Sequence, residues 1–145
     1  MSARPISSRA PRFVETVLDW RMTGLVARFA LTSAYLLGGI AKLTDVPGAV
    51  AEQAHFGMPA PALFAALTIA VELIGSVLIL SGRMVWLGAG MLGVFTGLAA
   101  ITANAFWSMT GQARFMATNA FFEHVGLIGG FVLVAMLSRR QPTNG

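Results

Sequence analysis

The chain has 145 residues, of which 56% are hydrophobic and only 11% are charged, and its mean hydropathy is +0.72. Soluble domains carry about a quarter charged residues, so the composition excludes an ordinary water-soluble domain and predicts a small membrane protein in the lipid bilayer. The formal net charge of +4 does not indicate a nucleic-acid partner, because most arginines flank apolar segments. The absence of cysteine excludes disulfides and cysteine-ligated metal.

The first 24 residues are predicted to form a cytoplasmic tail followed by a short interfacial helix. Residues 1–11 contain Ser, Pro and Arg without periodicity. After Pro11, apolar side chains fall on one helical face, and Trp20 is placed to anchor that helix at the lipid headgroups. No small-residue cleavage pattern precedes a mature soluble domain, so a cleaved signal peptide is not expected.

Four apolar segments of about span length follow, and they define a membrane domain at residues 25–137. The predicted spans are 25–43, 61–82, 84–107 and 119–137. A short helix is expected in the first external loop, from about Gly48 to Phe56. Because the connections are short, the sequence predicts an all-α fold, an antiparallel bundle of four transmembrane helices.

Basic residues near the ends of the spans predict the orientation of the bundle. Most of them lie in the N-terminal tail, at Arg83 between the second and third spans, and in the C-terminal tail at 138–145. Only Lys42 and Arg114 are left near the other two connections. Since positive charge is retained on the cytoplasmic side, both termini are predicted to be cytoplasmic.

The second span contains one ionisable residue, Glu72, near its middle. A carboxylate in hydrocarbon costs ~2.5–3.5 kcal/mol on insertion scales, so it needs a neutral form, a partner or a watery cavity. Tyr35 in the first span and Thr96 in the third fall at a similar depth. We therefore expect both to hydrogen-bond Glu72 around a small cavity that serves as a ligand-binding or proton site. The alternative is a protonated glutamate that only joins helices.

A second polar cluster is predicted near the external ends of the spans. Asn104 ends the third span, and Glu123 and His124 open the fourth. We expect Asn104 to hydrogen-bond His124 and Lys42 to balance Glu123, with ordinary interfacial polarity as the alternative. Two distant histidines without cysteine give no zinc spacing, so no metal site is predicted. No catalytic cofactor site is identified, because phosphate-loop and Ser-His-Asp patterns are absent.

The order and spacing of several short motifs resemble the DoxX family over roughly Arg28 to Leu137. These motifs are Gly39-Ile-Ala-Lys42-Leu43, Phe56-Gly57-Met58-Pro59, Glu72-Leu73-Ile74-Gly75, Gly82-Arg83, Phe121-Phe122 and Gly126-Leu127-Ile128-Gly129-Gly130. The resemblance implies a four-helix protein of the bacterial inner (plasma) membrane. It also implies a link to redox systems, since some relatives are similar to the membrane subunit of a thiosulfate:quinone oxidoreductase.

The chain departs from one branch of that family at the external ends of two spans. That branch ends the third span with His-x-Phe-Trp and opens the fourth with Lys-Asn. Here the third span ends with Asn104-Ala-Phe106-Trp107, and Glu123-His124 opens the fourth. The exchange is consistent with the expected contact between Asn104 and His124. The change from Lys to Glu reverses a charge, so the substrate preference of that branch is not carried over to this chain.

Three functions remain as alternatives. The resemblance favours an accessory subunit of a redox or quinone-linked system, with a quinone-type hydrophobic ligand beside Glu72 and a soluble oxidoreductase as partner. The second alternative is a small proton-coupled transporter or permeability protein, which would need a homo-oligomer to enclose a pathway. The third is a non-catalytic membrane scaffold. The residues alone do not separate the first two.

Overall fold

A computed structural model describes residues 10–139, so the outer parts of the two predicted tails, 1–9 and 140–145, lie outside the described residues. Within that range the chain forms six α-helices and one 3-10 turn at Phe106–Ser108. The α-helices are α1 (Arg12–Asp19), α2 (Arg21–Thr44), α3 (Val46–His55), α4 (Pro61–Ser81), α5 (Val85–Ala103) and α6 (Gly111–Arg139). Four of these, α2, α4, α5 and α6, are long and apolar enough to cross a membrane. The predicted all-α fold with four candidate spans is confirmed.

The first helix, α1, has no buried residue and exposes its apolar side chains. Phe13, Val17 and Leu18 are all exposed, as is Trp20 at the junction with α2. An amphipathic helix with an exposed apolar face suits the headgroup region of a bilayer, where that face can enter the lipid. Its placement at the interface stays a prediction.

The last two long helices differ in extent from the predicted spans. Helix α5 ends at Ala103, before the 3-10 turn, whereas the third span was expected to continue to Trp107. Helix α6 begins at Gly111 rather than near Asn119. Phe106 packs against Phe121 with ring centroids 5.3 Å apart, so the first turns of α6 extend beyond the end of α5. Hydropathy missed this extension because it contains polar residues, although helical hydrogen bonding continues through it.

Glycines allow close approach between neighbouring helices of the bundle. Helix α2 packs against α4, α4 against α5, and α5 against α6. A Cβ atom at Gly39 would lie 2.8 Å from Leu73 Cδ2, and one at Gly88 would lie 2.6 Å from the Gly75 carbonyl oxygen. Small residues at such crossings let helices pack by van der Waals contact where no hydrophobic force drives them together.

The packed core lies between the level of Glu72 and the turn that joins α4 to α5. Its buried apolar residues come from α2, α4, α5 and α6. They are Tyr35, Ile79, Val85, Ala89, Leu92 and Phe131. This layer fills the space between the helices on the side of Arg83, and a cavity lies on the opposite side, below α3.

Candidate functional site

Glu72 forms an ion pair with Lys42 inside the bundle. The Lys42 ammonium nitrogen lies 3.4 Å from Glu72 Oε1 and 3.5 Å from Oε2. The Glu72 side chain is 7% exposed and that of Lys42 is 19% exposed. Lys42 lies in the last turn of α2. Because helical side chains tilt toward the N-terminus of their helix, its ammonium group reaches down into the bundle.

A glycine on α2 provides the space for this ion pair. A Cβ atom at Gly38 would lie 3.3 Å from Glu72 Oε1 and 3.5 Å from the Lys42 ammonium nitrogen. Any side chain there would press on both charged groups. The adjacent Gly39 brings the two helix backbones together, so the Gly38-Gly39 pair both joins α2 to α4 and seats the carboxylate.

A second carboxylate approaches the same lysine from α3. Glu52 Oε2 lies 3.9 Å from the Lys42 nitrogen, and the Glu52 side chain is 46% exposed. Helix α3 begins where the Asp45 carboxylate accepts a hydrogen bond of 3.0 Å from the Gly48 amide, an N-cap that fixes its first turn. The Lys42 ammonium group therefore faces two carboxylates, those of Glu52 and Glu72. The formal charge of these three side chains together is negative.

A cavity of about 320 Å³ lies beneath α3, with Lys42 in its lining. The other lining residues come from α3, the segment after it, α4 and α5, and most of them are apolar or aromatic. They are Glu52, Gln53, Phe56, Met58, Phe64, Thr68, Phe95, Leu98, Ala99, Thr102 and Ala103. We call this cavity the α3 pocket. Glu72 does not line it, but Glu72 follows the lining residue Thr68 by one helical turn on α4 and pairs with Lys42, which does line it.

Tyr35 and Thr96 do not bond Glu72, and that part of the sequence prediction is wrong. Their side-chain oxygens instead lie 2.5 Å apart and share a hydrogen bond. The Tyr35 ring packs edge-on against Phe131, with ring centroids 5.5 Å apart. Both hydroxyls are buried, so they belong to the packed core rather than to the lining of the α3 pocket.

The predicted cluster at the external ends is not assembled either. Lys42 pairs with the acids of α3 and α4, not with Glu123, which is exposed on α6. His124 Nδ1 lies 2.6 Å from the Ala120 carbonyl oxygen of its own helix, and no hydrogen bond to Asn104 is formed. In the described range, no group of three or more His, Cys, Asp or Glu residues could hold a metal ion.

The sequence analysis missed two residues of the site, Glu52 and Gln53, although it predicted a helix close to where α3 lies. Ala49 and Gln53 are buried, and they are four residues apart on α3. That spacing places them on one helical face, which identifies the side of α3 that packs against the bundle. The polar residue on that face is Gln53.

The fold and the ion pair together define a class: a small integral membrane protein with four candidate spans and a charged pocket between them. The chain belongs to the DoxX family, whose family model matches residues 24–105. It is also similar to the inner membrane protein YphA of Escherichia coli (strain K12), with 29% identity over 112 residues, which covers 77% of this chain and 80% of that protein. No solved structure matches the chain. The family match includes Lys42, Glu52, Gln53 and Glu72.

Proposed function

We propose that this protein is an accessory membrane subunit of a redox or quinone-linked system, with the Lys42–Glu72 ion pair as its acid site. The observation that carries the proposal is a buried ion pair whose lysine lines a largely apolar pocket. Buried ion pairs rarely stabilise a fold more than apolar residues of the same volume, because desolvation of each charge costs several kcal/mol. A chemical role therefore explains this ion pair better than a purely structural one.

The α3 pocket fits the ring of a quinone-type ligand. Its volume of about 320 Å³ is at the lower end of the range of ligand pockets, ~300–1,000 Å³, which suits a ring whose tail leaves toward the lipid. Phe56, Phe64 and Phe95 supply aromatic surface for a planar ring. An ammonium group has three N–H donors, so Lys42 can bond the Glu72 carboxylate and still donate to a ligand oxygen.

The residues of this chain would bind the ring and handle protons. A quinone-type ligand, when bound, takes up two electrons and two protons to become a quinol. The electrons would come from a soluble oxidoreductase partner with its own redox group. The Lys42 ammonium group would donate a hydrogen bond to the ligand oxygen, and the Glu72 carboxylate, charged in the resting ion pair, would accept and release a proton beside it.

The packed core argues against transport through a single copy of the chain, which was the second alternative. Ile79, Leu92 and Phe131 are almost completely buried between the ion pair and the Arg83 end of the bundle. A substrate that entered the α3 pocket would meet this layer before it reached the other side. A homo-oligomer with a path between subunits would be needed for transport.

We place the protein in the bacterial inner membrane with both termini in the cytoplasm. The name of the similar E. coli protein gives the inner membrane as its location. Arg28 lies beside Gly82, near the turn that carries Arg83, so positive groups gather at the end opposite the α3 pocket. By the positive-inside rule that end is cytoplasmic, and the α3 pocket then lies toward the periplasmic side.

Quinone binding tests this proposal. The purified protein in detergent would be extracted for bound quinone and titrated with a short-chain ubiquinone or menaquinone analogue by calorimetry. We expect binding to be lost in the double variant Lys42→Met/Glu72→Gln, which removes both charges while keeping similar volumes. The control Glu123→Gln removes an exposed acid outside the pocket and should bind normally. Wild-type protein that binds no quinone would refute the proposal.

A further inference from the structure

An amide side chain without a protein partner faces the α3 pocket. Gln53 is 9% exposed and lines the pocket, and its side chain makes no hydrogen bond to any residue in the described range. No fully buried side-chain nitrogen or oxygen in that range lacks a partner. The Gln53 amide therefore keeps some accessible surface, and Gln53 is one of the residues that line the α3 pocket.

A glutamine in this position can recognise a particular kind of ligand. Its amide offers two N–H donors and one carbonyl acceptor, so it can donate to a ligand carbonyl or accept from a ligand hydroxyl. Buried polar groups are nearly always hydrogen-bonded in native proteins, so a polar side chain that lines a cavity without a protein partner is expected to bond to the molecule that occupies the cavity. Gln53 and Lys42 both line the pocket and can both reach a ligand.

The charges of the pocket exclude another class of ligand. Lys42 contributes one positive charge, and Glu52 and Glu72 each contribute one negative charge within 4 Å of it. The group is therefore formally negative, and the apolar walls offer an anion no further cation. Like charges repel strongly where water is scarce, so a small anion is disfavoured and a neutral molecule is not.

We propose that the α3 pocket takes an uncharged ring compound with a carbonyl or hydroxyl oxygen, that Gln53 recognises this oxygen, and that small inorganic anions are rejected. The inference rests on the proposed function in that a quinone is the redox-active member of this class. It adds a residue, Gln53, that sets the specificity of the pocket, and it assigns neutral ligands to this chain. An anionic substrate of the system would have to be bound by the partner chain.

Three variants isolate the contribution of Gln53. Gln53→Leu removes the amide at similar volume, and Gln53→Glu keeps the length while adding a negative charge. Gln112→Leu is the matched control, because Gln112 is exposed in the first turn of α6, outside the pocket. Thermal unfolding of each variant in detergent checks that the fold is retained.

The probes are a short-chain quinone, a neutral aromatic ketone without redox activity, and thiosulfate, each titrated into wild type and variants by calorimetry. We expect the wild type to bind the quinone and the ketone but not thiosulfate. Loss of one hydrogen bond should weaken neutral-ligand binding about three- to tenfold in Gln53→Leu, and Gln112→Leu should match wild type. Gln53→Glu should bind more weakly still if the ligand oxygen is a carbonyl.

The outcomes separate this inference from the proposed function. Quinone binding that is equal in wild type and Gln53→Leu would overturn the inference and leave the proposed function standing. Ketone binding that depends on Gln53, without quinone binding, would support the inference and overturn the proposed function. Saturable thiosulfate binding that competes with the neutral probes would overturn the charge argument, and binding of no probe would overturn both.

Discussion

Replacing Lys42 with methionine should destabilise the protein far more than replacing both members of the ion pair. At the observed separation of 3.4 Å, the attraction between Lys42 and Glu72 is about 5 kcal/mol for an effective dielectric constant of about 20. Desolvation of the two groups offsets much of that attraction in the wild type. Lys42→Met removes the attraction but leaves the Glu72 carboxylate buried beside a thioether.

The magnitude follows from how deeply each partner is buried. Removing one partner of a fully buried ion pair costs ~3–5 kcal/mol, and the 19% exposure of the Lys42 side chain reduces this to about 2–4 kcal/mol. In Lys42→Met/Glu72→Gln no buried charge is left unpaired, because the remaining acid, Glu52, is 46% exposed, so the loss should be below about 1.5 kcal/mol. The two single variants and the double variant therefore form a cycle with a coupling free energy of about 2 kcal/mol or more.

Reversible unfolding in mixed detergent micelles, followed by tryptophan fluorescence, measures these free energies. Arg114→Gln is the control, since it removes a cation on α6 away from the ion pair and should change the free energy of unfolding by less than about 0.5 kcal/mol. If the two single variants and the double variant proved additive, Lys42 and Glu72 would not interact, and the described ion pair would be wrong.

Further predictions test the helix crossing, the core hydrogen bond and the orientation. Gly88→Ala places a Cβ atom 2.6 Å from a carbonyl oxygen of α4 and should lower the free energy of unfolding by roughly 1–3 kcal/mol. The control Gly90→Ala has open space around it and should leave the free energy of unfolding nearly unchanged. Equal losses in the two variants would argue against the close crossing of α4 and α5. Tyr35→Phe should lower the free energy of unfolding by ~0.6–1.7 kcal/mol, because the hydrogen bond to Thr96 is lost, and should leave ligand binding intact. A defect in ligand binding would contradict the place of Tyr35 in the packed core. In this cysteine-free chain, Ser108→Cys should react with a membrane-impermeant maleimide in spheroplasts, and labelling only after lysis would reverse the predicted orientation.

The sequence predicted the long helices well because a run of apolar residues of span length has few other stable structures. Glu72 was singled out for the same reason, since the apolar residues on either side of it place it near the middle of the span. These predictions needed only the length and composition of each segment. They did not need the rotation of any helix about its axis.

The partners of Glu72 could not be predicted in the same way. Counting residues along the spans placed Tyr35 and Thr96 at the level of Glu72, but level alone does not say which way each helix face turns. Lys42 was placed at the membrane surface by its Cα atom, although its long side chain reaches about one turn back along α2. Gly38, which provides the space beside Glu72, carries no signal of its own in a chain rich in glycine.

Lys42 lines the α3 pocket, and the sequence makes this side chain easy to observe on its own. Because the chain has a single lysine, labelling with ¹⁵N-lysine at the side-chain nitrogen gives one resonance that reports on Lys42 alone. We predict that this resonance moves when Glu72 is changed to Gln, and that it shifts in a saturable manner when a short-chain quinone is added to the wild type. A resonance that stays in place during a titration in which calorimetry shows quinone binding would contradict the account.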